Sequence, residues 1–327
     1  MITESISLPT ASISLVFMGT PEFAVPTLRA LADSHLRPSL VITQPDRPSG
    51  RRRKLTPPPV KVVAQELGLP LLQPEDVNSP EAALAIQDLS PDFIVTAAYG
   101  GYLRRVLRKL PRLGCLNLHP SLLPRHRGAA PVNYTLFSGD IITGNTVYRM
   151  TARMDAGPII YQSKTPMGDD ECGTDLLHRL AQQGAKDVLH TLELLMCGKA
   201  SPTSQDESLA TFTKKIEKSD LPIDWSRTAT EVRRQVRGLA ETPGAVAMFR
   251  GAPLKIIACR ELEGIASAEP GMVVEVRKNE GIVVACGGGR LLLERVQPAG
   301  KRIMDAWAFH LGAQVKPHET LRMTDAE

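Results

Sequence analysis

The sequence predicts an α/β protein in which a Rossmann-like, mostly parallel sheet domain is followed by a small OB-like β-barrel domain. As far as His119, apolar runs of strand type alternate with segments of helical periodicity, which is typical of a doubly wound parallel sheet. Beyond a predicted helix near Thr230 to Leu239, short strand-like runs follow one another with glycine turns between them, as in a small antiparallel barrel. We therefore predict domains at 1–198 and 209–327. A linker rich in Ser, Thr, Pro and acidic residues would join them at 199–208.

The predicted elements follow from apolar periodicity and from turn residues. In the first domain, strands are expected at 13–18, 40–43, 93–98 and 115–119, with a short apolar segment at 71–72. An antiparallel pair is expected to follow at 146–150 and 158–163. Helices are expected after Gly19, at 60–67 and 82–89, as a basic segment before Cys115, and at 174–195, where Gly184 in the apolar stripe permits close packing. In the second domain, strands are expected at 245–249, 254–258, 272–276, 282–285 and 291–296.

Composition limits the class of protein. The chain has 327 residues, 43% of them hydrophobic, which is enough for real cores, and its net charge of +4 leaves room only for local basic patches. The five cysteines form no C-x-x-C pair, as expected of reduced thiols, so we predict a cytoplasmic protein. The first apolar run is too short for a membrane span, and we expect neither a targeting segment nor oligomerisation.

Asn117 and His119 stand two apart at the end of a predicted strand, so both side chains share one face while Leu118 points to the other. Pro120 removes a backbone donor and should end the strand there. An amide and an imidazole would then meet at a strand's carboxyl end, where open α/β sheets bind ligands. The ordinary alternative is a buried polar pair that the backbone satisfies.

The residues that follow favour a ligand site. Ser121, Leu122, Leu123 and Pro124 can line an apolar slot with a few fixed polar contacts. A metal site is a poor interpretation, because no second His or Cys recurs at ligand spacing around His119. On its own, Asp155 would be an ordinary carboxylate of an Asp-Ala-Gly turn.

A basic stretch, residues 45–54, carries five cations, and its Pro and Gly residues predict an irregular, exposed and mobile loop. Such a loop is either a solvated cluster or a site for nucleic-acid phosphates, and the two interpretations are nearly even. The arginines of the predicted helix near Arg233 could extend such a site, but helical faces rich in arginine are more often simply solvated. The G-x-G-x-x-G and P-loop spacings are absent, which weakens a nucleotide interpretation. The five cations of the loop are Arg47, Arg51, Arg52, Arg53 and Lys54.

Several motifs, taken together and in order, resemble the folate-dependent formyltransferase family. They include Asn117-Leu118-His119, the Ser121 to Pro131 segment and Met154-Asp155-Ala156-Gly157-Pro158. Further matches lie at 17–24, 43–48, 223–226 and 297–301, so the resemblance covers nearly the whole chain. It departs from the family's usual pattern at Tyr99 to Arg104, at Arg153-Met154 and at Leu239 to Thr242.

The resemblance implies a function. The formyl donor would be 10-formyltetrahydrofolate, the acceptor would be initiator methionyl-tRNA, and no metal would take part. The basic loop and the carboxyl-terminal domain would hold the tRNA. The resemblance places the catalytic positions on Asn117, His119 and Asp155. Folate would contact Ser121, Leu122, Leu123 and Pro124, together with Tyr99 and Gly100.

We hypothesise a mechanism that follows from these roles. The methionyl α-amine would attack the formyl carbon and form a tetrahedral oxyanion, to which Asn117 and protonated His119 would donate hydrogen bonds. Asp155 would hold His119 in its charged form and accept the proton of the amine, directly or through water. A sugar-nucleotide formyltransferase or a 10-formyltetrahydrofolate hydrolase domain would share this triad. A nonenzymatic nucleic-acid binder is a third alternative, which a formyl-transfer assay would distinguish from an enzyme.

Overall fold

A computed structural model describes residues 13–49, 54–264 and 267–323. The chain divides into two compact units, neither of which is one continuous stretch. The first unit comprises the residues up to Pro124 together with Asn145–Ser163 and Leu180–Glu207. The second comprises Arg125–Gly144, Lys164–Arg179 and the residues from Ser208 onward.

The larger sheet of the first unit has the strand order β10-β9-β7-β6-β1-β2-β5. Strands β5, β2, β1, β6 and β7 run parallel, whereas β9 pairs antiparallel with β7. The predicted Rossmann-like, mostly parallel sheet is therefore confirmed. Three further strands, β3, β4 and β8, lie outside this sheet. The strands as far as residue 166 are, in chain order, β1 (Leu15–Gly19), β2 (Leu40–Ile42), β3 (Arg47–Ser49), β4 (Lys54–Thr56), β5 (Leu71–Leu72), β6 (Phe93–Ala97), β7 (Gly114–His119), β8 (Arg127–Gly128), β9 (Ile142–Arg149) and β10 (Ile159–Pro166).

Helices follow the strands much as the apolar periodicity predicts, except that one helix, at Pro131–Ser138, was not predicted. Several begin with proline in the first turn, where its missing N–H costs no hydrogen bond. Single 3₁₀ turns lie at Glu22–Ala24, Glu207–Leu209 and Lys218–Asp220. The α-helices are α1 (Val25–Ala32), α2 (Pro59–Glu66), α3 (Pro80–Gln87), α4 (Arg105–Lys109), α5 (Pro131–Ser138) and α6 (Gly173–Met196).

The two faces of β7 have different neighbours. Cys115 belongs to an apolar cluster with Ile94 of β6, so this face of the strand carries residues 115, 117 and 119. On the opposite face, Leu118 packs against Gly184 of α6, where an added Cβ would lie 2.6 Å from a Leu118 methyl. The close approach expected at Gly184 is confirmed. Helix α6 therefore covers the face that Asn117 and His119 do not use.

The basic stretch is more regular than predicted. Strands β3 and β4 form an antiparallel ribbon in which Arg47 opposes Thr56 and Ser49 opposes Lys54. The expectation of an irregular loop was wrong for these residues, because a two-stranded ribbon leaves one edge of each strand unpaired and so tolerates Pro48. Residues 50–53, which include Arg51, Arg52 and Arg53, lie outside the described residues.

The second unit contains an antiparallel sheet with the order β14-β15-β16-β13-β12-β18, and β17 pairs with β16. All five predicted strands are present in this curled sheet, and the OB-like prediction is confirmed. The helix predicted near Thr230 is also present, whereas a helix at Ala306–Ala313 was not predicted. The remaining elements are β11 (Phe212–Thr213), which pairs with β8, α7 (Ala229–Leu239), β12 (Ala245–Phe249), β13 (Ala252–Leu262), β14 (Val273–Arg277), β15 (Gly281–Ala285), β16 (Arg290–Pro298), β17 (Met304–Asp305), α8 (Ala306–Ala313) and β18 (Leu321–Arg322).

Helix α7 begins with a reciprocal capping box. The Thr228 hydroxyl accepts from the Glu231 backbone N–H, and the Glu231 carboxylate accepts from the Thr228 backbone N–H at 3.0 Å. The hydrogen bonds from the Thr228 side chain and backbone lower the pKa of Glu231 from 4.5 to about 2. The sequence Thr-Ala-Thr-Glu thus fixes where the helix starts.

We expect Thr228→Ala to lower the free energy of unfolding of the second unit by about 1 kcal/mol, the usual cost of losing such a cap. Urea denaturation followed by circular dichroism measures the change. Because the pKa of Glu231 is lowered on folding, its stabilising effect is present above pH 4.5 and is lost as the pH falls through about 2. The difference in the free energy of unfolding between the variant and the wild type should therefore be the same at pH 7 and at pH 5. An unchanged denaturation midpoint would contradict a role for the cap.

Candidate active site

The predicted pair lies where the strand pattern places it. Asn117 and His119 are on β7, which ends at His119, immediately before Pro120. His119 is buried, with 5% of its surface exposed, and Asn117 is half-buried. The imidazole and the amide therefore share the carboxyl end of a central parallel strand.

Tyr148 lies directly opposite Asn117 in the antiparallel pairing of β9 with β7. The Tyr148 hydroxyl donates to Asp155 Oδ1 at 2.7 Å, and Asn117 Nδ2 donates to the Tyr148 oxygen at 3.2 Å. Burial of the ring raises the pKa of Tyr148 well above its usual value, and the negative charge of Asp155 raises it further. The hydroxyl therefore stays protonated and acts as a donor toward the carboxylate.

Thr96 on β6 completes the set of contacts to Asn117. Its hydroxyl lies 2.7 Å from Asn117 Oδ1, to which it donates. A carboxylate can only accept, so the Tyr148 proton points to Asp155, and the Tyr148 oxygen must accept from the amide nitrogen of Asn117. The amide is thus oriented with its oxygen toward Thr96 and its nitrogen toward Tyr148.

Asp155 lies on the loop between β9 and β10, in a left-handed backbone conformation with φ of 50°. Its Oδ2 is 3.8 Å from His119 Nδ1, and its backbone carbonyl accepts a 2.8 Å hydrogen bond from Gln205 Nε2. Gly157 holds the loop close to β9, since an added Cβ there would lie 1.8 Å from the Arg149 carbonyl oxygen. The structure therefore brings all three predicted catalytic residues together within the first unit.

The predicted folate segment directly follows His119. Ser121 is fully buried and donates its backbone N–H to the His119 carbonyl at 2.9 Å. Thr146 of β9 donates to the Ser121 carbonyl at 2.7 Å and accepts from the Leu123 N–H at 3.1 Å. Leu123 is buried, whereas Leu122 and Pro124 are half-buried. Strand β9 thus holds this segment beside the imidazole through Thr146.

Tyr99 and Gly100 lie beyond the end of β6. The Tyr99 ring is buried in the apolar cluster that includes Ile94 and Cys115, and burial raises its pKa to about 12, with a further contribution from the charge of Asp76. Gly100 is exposed and has a φ of +82°. The ring of Tyr99 therefore contributes to the core, and Gly100 supplies the backbone turn.

The described cations of the basic stretch are exposed. Arg47 pairs with Glu75 at 2.6 Å with 62% of its side chain exposed, and Lys54 is exposed on β4. The helical arginines of α7 differ, because Arg233 binds Asp170 at 2.8 Å and Arg237 donates to the Gly168 carbonyl at 2.7 Å. The β3–β4 ribbon therefore offers its charges to solvent more fully than Arg233 and Arg237 do.

Two contacts of the site, Thr96 and Tyr148, were not predicted from the sequence. Alternation along β9 puts Tyr148 and Thr146 on one face, but the sequence does not give the register of β9 against β7. In the same way, the position of Thr96 on β6 next to Asn117 cannot be predicted until the strand order is known.

The cysteines, potential metal ligands and helix lengths bear on the remaining sequence-based expectations. All five cysteines are free thiols, as predicted. In the part of the chain that the structure describes, no three His, Cys, Asp or Glu side chains gather in a way that could hold a metal ion. Nor does any helix within residues 13–49, 54–264 and 267–323 have the length and apolar character needed to cross a membrane.

Two family models match most of the chain. Residues 13–192 match the family model described as formyl transferase, and residues 215–314 match the model of the formyl transferase carboxyl-terminal domain. The chain belongs to the formyl transferase family. The resemblance based on the sequence motifs is thereby confirmed, and the two family models correspond to the two kinds of sheet described above.

Curated members of the family are similar over most of their length. The methionyl-tRNA formyltransferase of Geobacter sulfurreducens is 42% identical over 307 residues, which cover 94% of this chain and 96% of the relative. That of Moorella thermoacetica is 45% identical over 307 residues, covering 94% of this chain and 98% of the relative.

Solved structures share the fold at lower identity. An N-formyltransferase from Helicobacter canadensis, in complex with folinic acid and dTDP-3-aminofucose, has a TM-score of 0.66 at 16% identity, covering 88% of this chain and 99% of its own. HypX from Aquifex aeolicus, in complex with tetrahydrofolic acid, has a TM-score of 0.61 at 17% identity, covering 97% of this chain and 51% of its own.

Proposed function

We propose that this chain is a cytoplasmic, monomeric enzyme that transfers the formyl group of 10-formyltetrahydrofolate to the α-amine of initiator methionyl-tRNA. The observation that carries the proposal is the cluster formed by Asn117 and His119 at the end of β7 and Asp155 on the β9–β10 loop. Tyr148 hydrogen-bonds both Asn117 and Asp155, and Asp155 faces His119. The names of the curated relatives support methionyl-tRNA as the acceptor.

The geometry fits the attack of an amine on a formyl carbon. Asn117 presents its amide nitrogen, and the charged imidazole of His119 presents a ring N–H, so both can donate to the developing oxyanion. Asp155 Oδ2 faces His119 Nδ1 at 3.8 Å, which leaves Nε2 as the nitrogen that we assign to the oxyanion. At this distance and an effective dielectric near 20, the ion pair is worth roughly 4 kcal/mol before desolvation is subtracted.

The amine must lose a proton as the new C–N bond forms. The carboxylate of Asp155 lies next to His119, and it can accept that proton directly or through one water. The proton then goes to the folate nitrogen that leaves as the tetrahedral intermediate collapses. In this mechanism Asn117 and His119 stabilise the negative charge of the oxyanion. Asp155 pairs with His119, accepts the proton of the amine and passes it to the leaving folate nitrogen.

The folate would lie against Ser121, Leu122, Leu123 and Pro124. The folate ligands in the names of the solved relatives support a folate site in this fold. Half-buried Leu122 and Pro124 have surface that the donor could contact, and the buried Ser121 and Leu123 anchor the segment beside His119. The backbone turn at Gly100 is a further candidate contact, and Tyr99 would act through the core beneath it.

A direct assay tests the function. The protein is incubated with 10-formyltetrahydrofolate and with methionyl initiator tRNA, methionyl elongator tRNA or a dTDP-amino sugar as the acceptor. We expect N-formylmethionyl ester on the initiator tRNA, and slower formylation of the other two acceptors. Formylation of the amino sugar alone would favour a sugar-nucleotide formyltransferase. Release of formate without any acceptor would favour the hydrolase alternative.

The basic stretch 45–54 is the proposed phosphate contact of the first unit. Arg47 and Lys54 lie on the β3–β4 ribbon, and the other proposed cations, Arg51, Arg52 and Arg53, lie outside the described residues. We expect the KM for tRNA to rise steeply with salt. In the double variant Arg47→Ala/Lys54→Ala, the slope of log KM against log salt should fall by about 2, since each lost phosphate contact removes about one unit.

The matched control is Arg29→Ala, because Arg29 forms a comparable exposed pair with Glu66 at 2.8 Å outside the ribbon. The control should keep the slope of the wild type. Equal slopes for all three proteins would remove the ribbon from the tRNA site.

A further inference from the structure

Tyr148 makes two hydrogen bonds that have no part in the proposed mechanism. Its oxygen accepts from Asn117 Nδ2 at 3.2 Å, and its proton goes to Asp155 Oδ1 at 2.7 Å. One hydroxyl therefore joins the proposed oxyanion donor to the proposed proton acceptor. These two residues lie on different elements, β7 and the β9–β10 loop.

We propose that Tyr148 is a positioning residue that fixes the amide of Asn117 and the carboxylate of Asp155 in one mutual orientation. The proposal rests on the proposed function, because it takes the roles of both residues from it. Tyr148 is not assigned a bond to the substrate or a proton transfer.

The direction of each hydrogen bond follows from the chemistry of the groups. Asp155 can only accept, so Tyr148 donates to it, and the Tyr148 oxygen is then available only as an acceptor for Asn117. Thr96 holds the amide oxygen of Asn117 at 2.7 Å. The series from Thr96 to Asp155 thus has one arrangement that satisfies all four side chains, and in it the nitrogen of Asn117 cannot exchange places with its oxygen.

The carboxylate is fixed in the same way. Tyr148 occupies Oδ1, so Oδ2 is the oxygen that faces His119 Nδ1 at 3.8 Å. The terminal torsion of an Asp or Asn side chain is broad and has no strong intrinsic preference. Without the hydroxyl, both groups would sample other angles, and fewer molecules would have the donor and the acceptor aligned at once.

The surroundings favour a fixed hydroxyl. Tyr148 is 2% exposed, so its oxygen has little access to water that could replace either partner. It also lies opposite Asn117 in the register of β7 and β9, where cross-strand side chains are close neighbours. The raised pKa of Tyr148 keeps the proton on the hydroxyl across the working range of an enzyme, so the donor is always present.

The test is Tyr148→Phe, which keeps the ring and removes only the hydroxyl. We expect kcat for formyl transfer to fall about 10- to 100-fold, the range for losing a hydrogen bond to a charged group, while both KM values stay close to those of the wild type. Tyr161→Phe is the matched control, since Tyr161 lies on β10 and its ring contacts His190. Its kcat should not change. A normal kcat for Tyr148→Phe would overturn the proposal.

A double-mutant cycle separates positioning from a general packing role. If Tyr148 acts through Asp155, then Tyr148→Phe should have much less effect on kcat in the Asp155→Asn background than in the wild type. Equal effects in both backgrounds would overturn the proposal.

Crystal structures of the wild type and of Tyr148→Phe give a measurement that needs no activity. We expect the Asp155 carboxylate and the Asn117 amide to rotate in the variant, and unchanged side chains would overturn the proposal. If the wild type fails to formylate methionyl-tRNA, the proposed function fails, and these structures still decide whether Tyr148 orients the two side chains.

Discussion

We expect Asn117→Ala to lower kcat for formyl transfer about 100- to 1000-fold, the usual cost of losing one oxyanion donor. The KM for methionyl-tRNA should stay nearly constant, because the amide acts on charge that develops only in the transition state. Steady-state kinetics with saturating 10-formyltetrahydrofolate measures both values. The loss should be large because Thr96 and Tyr148 hold the amide in a fixed orientation, and alanine removes this preorganised donor.

Thr96→Val provides a graded control for Asn117. It removes the hydroxyl that lies 2.7 Å from Asn117 Oδ1 but leaves the amide itself. We expect a smaller loss of kcat than in Asn117→Ala, because the donor is present but less well oriented. If kcat in Asn117→Ala equalled that of the wild type, Asn117 would have no part in the chemistry.

Asp155→Asn should lower kcat about 100- to 10,000-fold, the range ascribed to a general acid or base. The substitution keeps the size of the side chain but removes the negative charge that faces His119 at 3.8 Å. Both proposed roles of the carboxylate are lost together: support of the imidazolium and acceptance of the amine proton. Binding of tRNA, measured separately by filter retention, should be unaffected.

The second unit offers a matched control for that pair. His126 and Asp140 also form a buried histidine–carboxylate contact, with Nε2 and Oδ2 2.8 Å apart. Asp140→Asn should keep the kcat of the wild type, since this pair is not among the proposed catalytic residues. Equal losses in the two variants would mean that removing any buried carboxylate disturbs the enzyme, and the role of Asp155 would then lack support.

Much of the fold is predictable from local patterns. Apolar runs such as Leu15–Gly19 and Phe93–Ala97 are buried on both faces, as central parallel strands must be, so they are recognisable without a partner. Asn117 and His119 could be placed on one face because a strand alternates strictly, and Pro120 marked its end. The motifs then tied Asp155 to the same site, which spacing alone did not.

Features that depend on pairing between strands were not predictable. The β3–β4 ribbon was missed because Pro48 and the row of cations argue for an irregular segment, and only the pairing with residues 54–56 shows otherwise. Tyr148 and Thr96 were missed because their contacts with Asn117 depend on strand order and register. Helix α8 is apolar on most positions and lacks the amphipathic pattern that would have revealed it.

The most direct test of the proposed chemistry is single-turnover transfer of labelled formyl from 10-formyltetrahydrofolate to methionyl initiator tRNA, in the presence of excess enzyme. We expect the label to reach the methionyl α-amine at a rate that falls at least about 100-fold in both Asn117→Ala and Asp155→Asn, with tRNA binding intact. Label released as formate, with methionyl-tRNA left unmodified, would contradict formyl transfer to tRNA. Transfer at the wild-type rate in both variants would contradict the assigned site.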